Sequence, residues 1–124
     1  MTPDKGGLTR AVQVGLLVNS LMATIAGLGF IGGFAPHAAE HAMLARRVGA
    51  AELAGAFMMV FVALRLRAEA RWIALPLAFV GANFAVSIID IVSSRSSKDA
   101  PPLVVEGIFF TLYAIFAATR RRRR

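Results

Sequence analysis

Residues 78–92, AFVGANFAVSIIDIV, form an apolar run interrupted by Asn83, Ser87 and Asp90. Steps of four and three residues return to nearly the same side of an α-helix, so these three polar side chains share one stripe. A carboxylate in such a run costs a few kcal/mol in lipid, and it normally faces a bundle interior or a water-filled cavity. The stretch therefore reads as a membrane helix with a functional face, around which the other helices are expected to be arranged.

The rest of the chain supports a membrane setting. It has 124 residues, enough for one domain, and 57% of them are hydrophobic, against roughly 45–50% in soluble folds. Charge is confined to the ends and to short connections. The net charge of +7 is better explained by loops held at an anionic membrane face than by nucleic acid, which is not an expected partner. No cysteine is present, so a disulfide framework and thiolate chemistry are excluded. The first apolar run is longer than the core of a signal peptide and lacks a small-residue cleavage site, so no cleavable signal is expected.

Four spans emerge: 11–35, 48–64, 72–92 and 103–119. The first is uncharged over 25 residues, long enough for a ~30 Å hydrocarbon core with some tilt. Asn19, Ser20 and Thr24 lie near its mid-depth, and Gly29 and Gly33 form a small-residue motif that suits close helix packing. Residues 36–47 are amphipathic and precede the second span. Trp72 opens the third span as an interfacial anchor. Residues 93–102 make a polar turn, and 120–124 are all Arg, read as a membrane-surface anchor.

The expected fold is all-α, an up-down-up-down bundle of four transmembrane helices forming a single domain. An even number of spans puts both termini on one side. That side holds Lys5, Arg10, Arg65, Arg67, Arg71 and the five terminal Arg, and the other holds Arg46, Arg47, Arg95 and Lys98. This bias assigns both termini to the cytoplasm of a multi-pass cell-membrane protein.

Topology then sets depth. Glu52 lies four residues into the second span, Asp90 two residues before the end of the third, and Glu106 three residues into the fourth. Three acids on three helices are thus expected in one layer near the outer boundary, with Asn19 and Asn83 forming a polar layer beneath. Glu52 shares its stripe with Gly55, Ala56 and Met59, and Glu106 shares its own with Phe109, Phe110 and Tyr113. The implied cavity is acidic at its mouth, aromatic and apolar on its walls and amide-lined at its floor. The alternative is that these acids reach interfacial water or pair with Arg46, Arg47, Arg95 or Lys98.

One further motif, His37-Ala-Ala-Glu40-His41, fits the H-x-x-E-H pattern of inverted zinc hydrolases. Nothing else in the chain supports a protease. No metal or other cofactor is expected, and His37 and His41 are the residues that would ligate a metal if one were held there.

The small-residue-rich segment ARRVGAAELAGAFMMVFVALR, followed by a basic turn, a third helix and a polar turn, resembles the DoxX-like group of small four-helix membrane proteins. Where many members carry an Arg in the third helix, this chain has NFAVSIID. The resemblance implies a membrane subunit or accessory protein, in a group with no single chemistry. The layout is also similar, in architecture alone, to the emopamil-binding and sigma-2 receptor group, which places acids in a lipophilic pocket. Small multidrug transporters share the length, but their essential Glu lies in the first helix, where this chain has no acid.

Two acids in one low-dielectric pocket divide into a proton donor and a base. The leading expectation is therefore a membrane enzyme that isomerises, cyclises or opens an epoxide of a lipophilic small molecule, an isoprenoid or polyketide. Asp90 and Glu52 would be its acid–base pair and Glu106 a helper, with Asn19, Asn83, Ser87, Met59, Phe110 and Tyr113 lining the substrate. The competing expectations are a carrier, binding protein or accessory subunit for a lipophilic or cationic compound, and a structural membrane protein. The lipid bilayer is the expected surrounding partner, and homo-oligomerisation stays open.

Overall fold

The computed structural model describes residues 5–33, 42–94 and 100–122. They form four long helices: α1 (Lys5–Ile31), α2 (Ala42–Arg65), α3 (Ala74–Ser94) and α4 (Ala100–Arg122), with a 3-10 turn at Ala70–Ile73 before α3. All four are long and apolar enough to cross a membrane. The chain is thus an all-α bundle of four membrane-spanning helices, as the hydropathy pattern predicts.

Helix boundaries differ most from those expected at two places. The polar leader KGGLTR continues α1 toward the N-terminus, because it has something to pack on. Thr9 is buried, and Arg120 of α4 donates from Nη2 to its hydroxyl at 3.1 Å. Residues 42–47 belong to α2 itself and not to a separate interfacial segment. The motif residues His37 and His41 lie outside the described residues, as do Arg95 and Lys98.

Each terminus has a local cause. Helix α1 stops where Gly33 takes φ +77°, a left-handed conformation that suits glycine at a helix end. The amides of Gly32 and Gly33 still bond back to Leu28 and Phe30. Pro76 sits in the first turn of α3, and Pro101 in the first turn of α4, where a missing N–H removes no helical bond. Arg65 ends α2, and Arg120, Arg121 and Arg122 end α4, so positive charge meets the negative end of each helix dipole.

The helices pack in a ring: α1 on α2 and α4, and α3 on α2 and α4. The α1–α2 seam is the most extensive. Near the loop end two glycines make it close: a Cβ at Gly49 would lie 2.6 Å from the carbonyl oxygen of Gly27, and one at Gly27 would lie 2.8 Å from that of Gly49. The close approach predicted at Gly29 and Gly33 is not made at Gly33, which lies past the helix end with open space where a Cβ would be. Toward the other end, Gln13 Nε2 donates to the Ala63 carbonyl at 2.8 Å and ties the same two helices together.

The interior is filled unevenly. In the half nearest the termini, Val12 and Leu16 of α1 meet Met59 and Val62 of α2, Leu66, Ile73, and Tyr113 and Phe116 of α4, all buried. Large apolar side chains face outward on every helix, including Leu21 and Ile25, Phe57 and Leu64, Ile89 and Val92, and Ile108. Phe57 is 80% exposed and Leu64 78%. An outer surface of this kind suits lipid and would be an aggregation liability in water.

Candidate functional site

Where large side chains stop filling the interior, a cavity of about 360 Å³ begins. All four helices line it. Met22, Phe79, Val105 and Phe109 supply apolar walls, and Asn19, Glu52, Asn83 and Glu106 supply polar groups. Its position follows from the glycine seam. Gly27 and Gly49 draw α1 and α2 together, and the α3–α4 pair meets them over shorter seams.

Two cross-helix hydrogen bonds build the polar side. Asn83 Nδ2 of α3 lies 3.5 Å from Glu52 Oε1 of α2, at the limit of hydrogen-bond distance, and Ser87 Oγ of α3 donates to Glu106 Oε2 of α4 at 2.8 Å. Positions 83 and 87 are one helical turn apart, so the two carboxyls occupy successive levels of one stripe. Both line the same cavity. Each is half-buried, so the buried carboxylates expected for the acid–base reading are only partly enclosed. No Lys, Arg or His lines the cavity among the described residues.

Toward the packed half, Asn19 Nδ2 donates to the hydroxyl of Tyr113 at 3.0 Å. Tyr113 is fully buried and its ring stacks on Phe109, with centroids 6.1 Å apart. Asn19 therefore lies on the wall, and Tyr113 backs both it and Phe109. Behind the opposite wall, Gly55 leaves a notch that the Phe79 ring occupies; a Cβ there would overlap the ring.

The expected site residues separate into three groups. Glu52, Glu106, Asn83 and Asn19 line the cavity, and Ser87 and Tyr113 hold lining side chains in place. Met59 lies in the tightly packed core instead, and Phe110 stacks on Phe84 outside the cavity at 6.0 Å. Phe109 faces inward in its place, since adjacent helix positions point about 100° apart. Asp90 is exposed and outside the cavity lining. It lies on the right stripe but seven residues beyond Asn83, roughly 10 Å toward the helix end.

The three acids therefore do not share one layer. Because α2 begins at Ala42, Glu52 lies ten residues inside its helix, whereas Asp90 is four residues from the end of α3. The pairing of Glu52 with Asp90 gives way to a pairing of Glu52 with Glu106. Phe79, which lines the wall, was within reach of the sequence, being one turn before Asn83 on the same stripe. Ala23 and Ala26, also in the lining, lie one and two turns after Asn19 on its stripe.

No family model, curated protein or solved structure matches this chain. Function has to be read from the cavity itself.

Proposed function

We propose that the protein binds a lipophilic small molecule between its helices and that Glu52 and Glu106 act on it as an acid–base pair. The observation behind this is two carboxyls, Glu52 and Glu106, in one largely apolar cavity that no basic residue lines among the described residues. Their mutual repulsion is relieved by one proton or by one cationic group. With one proton present, one acid is a donor and the other a base.

That pair suffices for an isomerisation. One carboxyl gives a proton to a double bond or an epoxide oxygen of the substrate. The other removes a proton from the carbocation that results, so no atom is gained or lost. The faces of Phe79 and Phe109 would stabilise the positive charge that develops, and Asn83 and Ser87 would keep the carboxyls aimed. Cyclisation follows the same sequence with a bond formed between the two proton transfers.

The test uses purified protein in nanodiscs, incubated with isoprenoid epoxides and polyenes and searched by mass spectrometry for products of unchanged mass. Glu52→Gln and Glu106→Gln should each abolish turnover while the substrate still binds, and the double variant should lose little more than either one. Turnover surviving in both single variants would remove the acid–base assignment.

A second reading is a carrier or accessory protein for a lipophilic cation, the role that the DoxX-like resemblance implies. It is favoured by the same excess of negative charge in the cavity. Here a lipophilic amine would bind to the wild type, each Gln variant would weaken that binding, and no product would form.

The proposed orientation places both termini in the cytoplasm, with ten basic residues on that side against four on the other. An impermeant thiol reagent applied to intact cells should label Ser96→Cys and leave Thr2→Cys unmodified. The reverse pattern would invert the bundle and turn the cavity toward the cytoplasm.

A further inference from the structure

At the end of the bundle nearest the termini lies a second cavity, about 510 Å³, between the 3-10 turn, the start of α3 and the end of α4. Three guanidinium groups, from Arg71, Arg120 and Arg121, border it over an apolar floor that includes Ile73, Leu77 and Ala117. The proposed acid–base chemistry uses none of these residues.

The charge balance of this pocket is the informative feature. One carboxylate, Glu69, stands beside it, and Arg71 takes that acid at 3.0 and 3.2 Å. Arg120 is held by neutral groups, the Thr9 hydroxyl and the face of Phe116 with 5.2 Å to the ring centroid. Arg121 makes no ion pair or hydrogen bond among the described residues. Two of the three positive charges thus have no carboxylate partner among the described residues, in a pocket at a membrane boundary with an apolar floor. Guanidinium groups match phosphate oxygens in geometry as well as charge. Basic pockets between membrane helices recognise anionic lipid headgroups in this way.

We infer that the Arg71–Arg120–Arg121 pocket binds the phosphate group of an anionic amphiphile, with the acyl chain lying along the apolar outer surface of α3 and α4. Trp72, the chain's one tryptophan, stands between Arg71 and Ile73 of the lining. Its indole N–H donates to Glu69 at 3.0 Å, and the Arg71 guanidinium lies 5.7 Å from its ring centroid. Its fluorescence therefore reports on occupancy without any label.

The full chain is placed in nanodiscs of phosphatidylcholine, with phosphatidylglycerol added in increasing proportion, while Trp72 emission is followed. Emission should shift saturably. Arg121→Gln should raise the phosphatidylglycerol requirement clearly beyond the roughly fivefold expected for loss of any one basic residue near an anionic surface. Arg122→Gln and Arg10→Gln remove the same charge from residues that do not line the pocket and should shift the midpoint by no more than that roughly fivefold. Thr9→Val, which releases Arg120 without altering charge, controls for its structural contact. If all the Arg variants shift the midpoint equally, attraction is diffuse and the site is overturned. An unchanging emission in the wild type overturns it as well. A second titration uses inorganic phosphate in phosphatidylcholine nanodiscs. A saturable response there that Arg121→Gln weakens upholds a phosphate site and assigns it to a soluble phosphate group instead of a lipid.

Discussion

The two halves of this bundle are built on opposite rules. Near the termini, four helices turn large side chains inward, and no buried side-chain polar atom lacks a partner among the described residues. Near the loops, α1 and α2 close backbone to backbone at Gly27 and Gly49, and the space across from that contact holds Glu52, Asn83 and Glu106 around a cavity. Lipid gives little hydrophobic drive for one helix to seek another, so membrane helices are held by packing and by hydrogen bonds between them. The packed half rests chiefly on the first, with Gln13–Ala63 and Arg120–Thr9 adding hydrogen bonds. The open half combines the glycine contact with the hydrogen bonds of Asn83 and Ser87, which hold the two carboxyls proposed to do the chemistry. Asn19 and Tyr113 stand at the boundary.

This contrast is exposed to direct attack. The largest effect is expected from Met59→Ala, which removes a fully buried side chain from the packed half. It should lower stability to denaturing detergent by about 2–4 kcal/mol and leave ligand affinity in the cavity unchanged. A parallel fall in affinity would show that the halves are not separate. Next comes Gly49→Ala, whose new Cβ would press on a backbone oxygen that cannot rotate away. The α1–α2 seam should open at a cost of about 1–3 kcal/mol, and ligand affinity should change with it, because this seam sets the width of the open half. Asn19→Leu should cost less, roughly 0.6–1.7 kcal/mol for one hydrogen bond between helices. Smallest is Asp90→Asn, expected within about 0.5 kcal/mol of wild type and equal to it in ligand binding. A large loss there would return Asp90 to the site.

Much of the fold is legible in the chain, since four apolar runs separated by charge leave few other arrangements. Of the polar stripe on α3, Asn83 lines the cavity and Ser87 donates to Glu106, which also lines it, whereas Asp90 lies outside the lining. Depth is another matter. Residues 42–47 look amphipathic, with Arg46 and Arg47 among them, yet they continue α2 and carry Glu52 six residues further from the end than the hydropathy boundary implies. That displacement, about 9 Å, is what separates Glu52 from Asp90. The glycine contact shows a second limit. A run of small residues says that backbones can approach, but the partner, Gly49 for Gly27, is chosen by three-dimensional register. Phe109 and Phe110 show a third: adjacent identical residues on one helix cannot be told apart until the neighbouring helices fix its rotation.

The notch at Gly55 has a consequence for how such a protein could change its ligand. Phe79 is part of the cavity wall, and its ring rests where a Gly55 side chain would otherwise be. Adding even one methyl group at position 55 would drive the ring toward the cavity and narrow it, while Glu52 and Glu106 kept their hydrogen-bond partners. Calibre and the proposed chemistry are thereby assigned to different residues. The bore is adjusted from behind the wall, at a position outside the cavity lining.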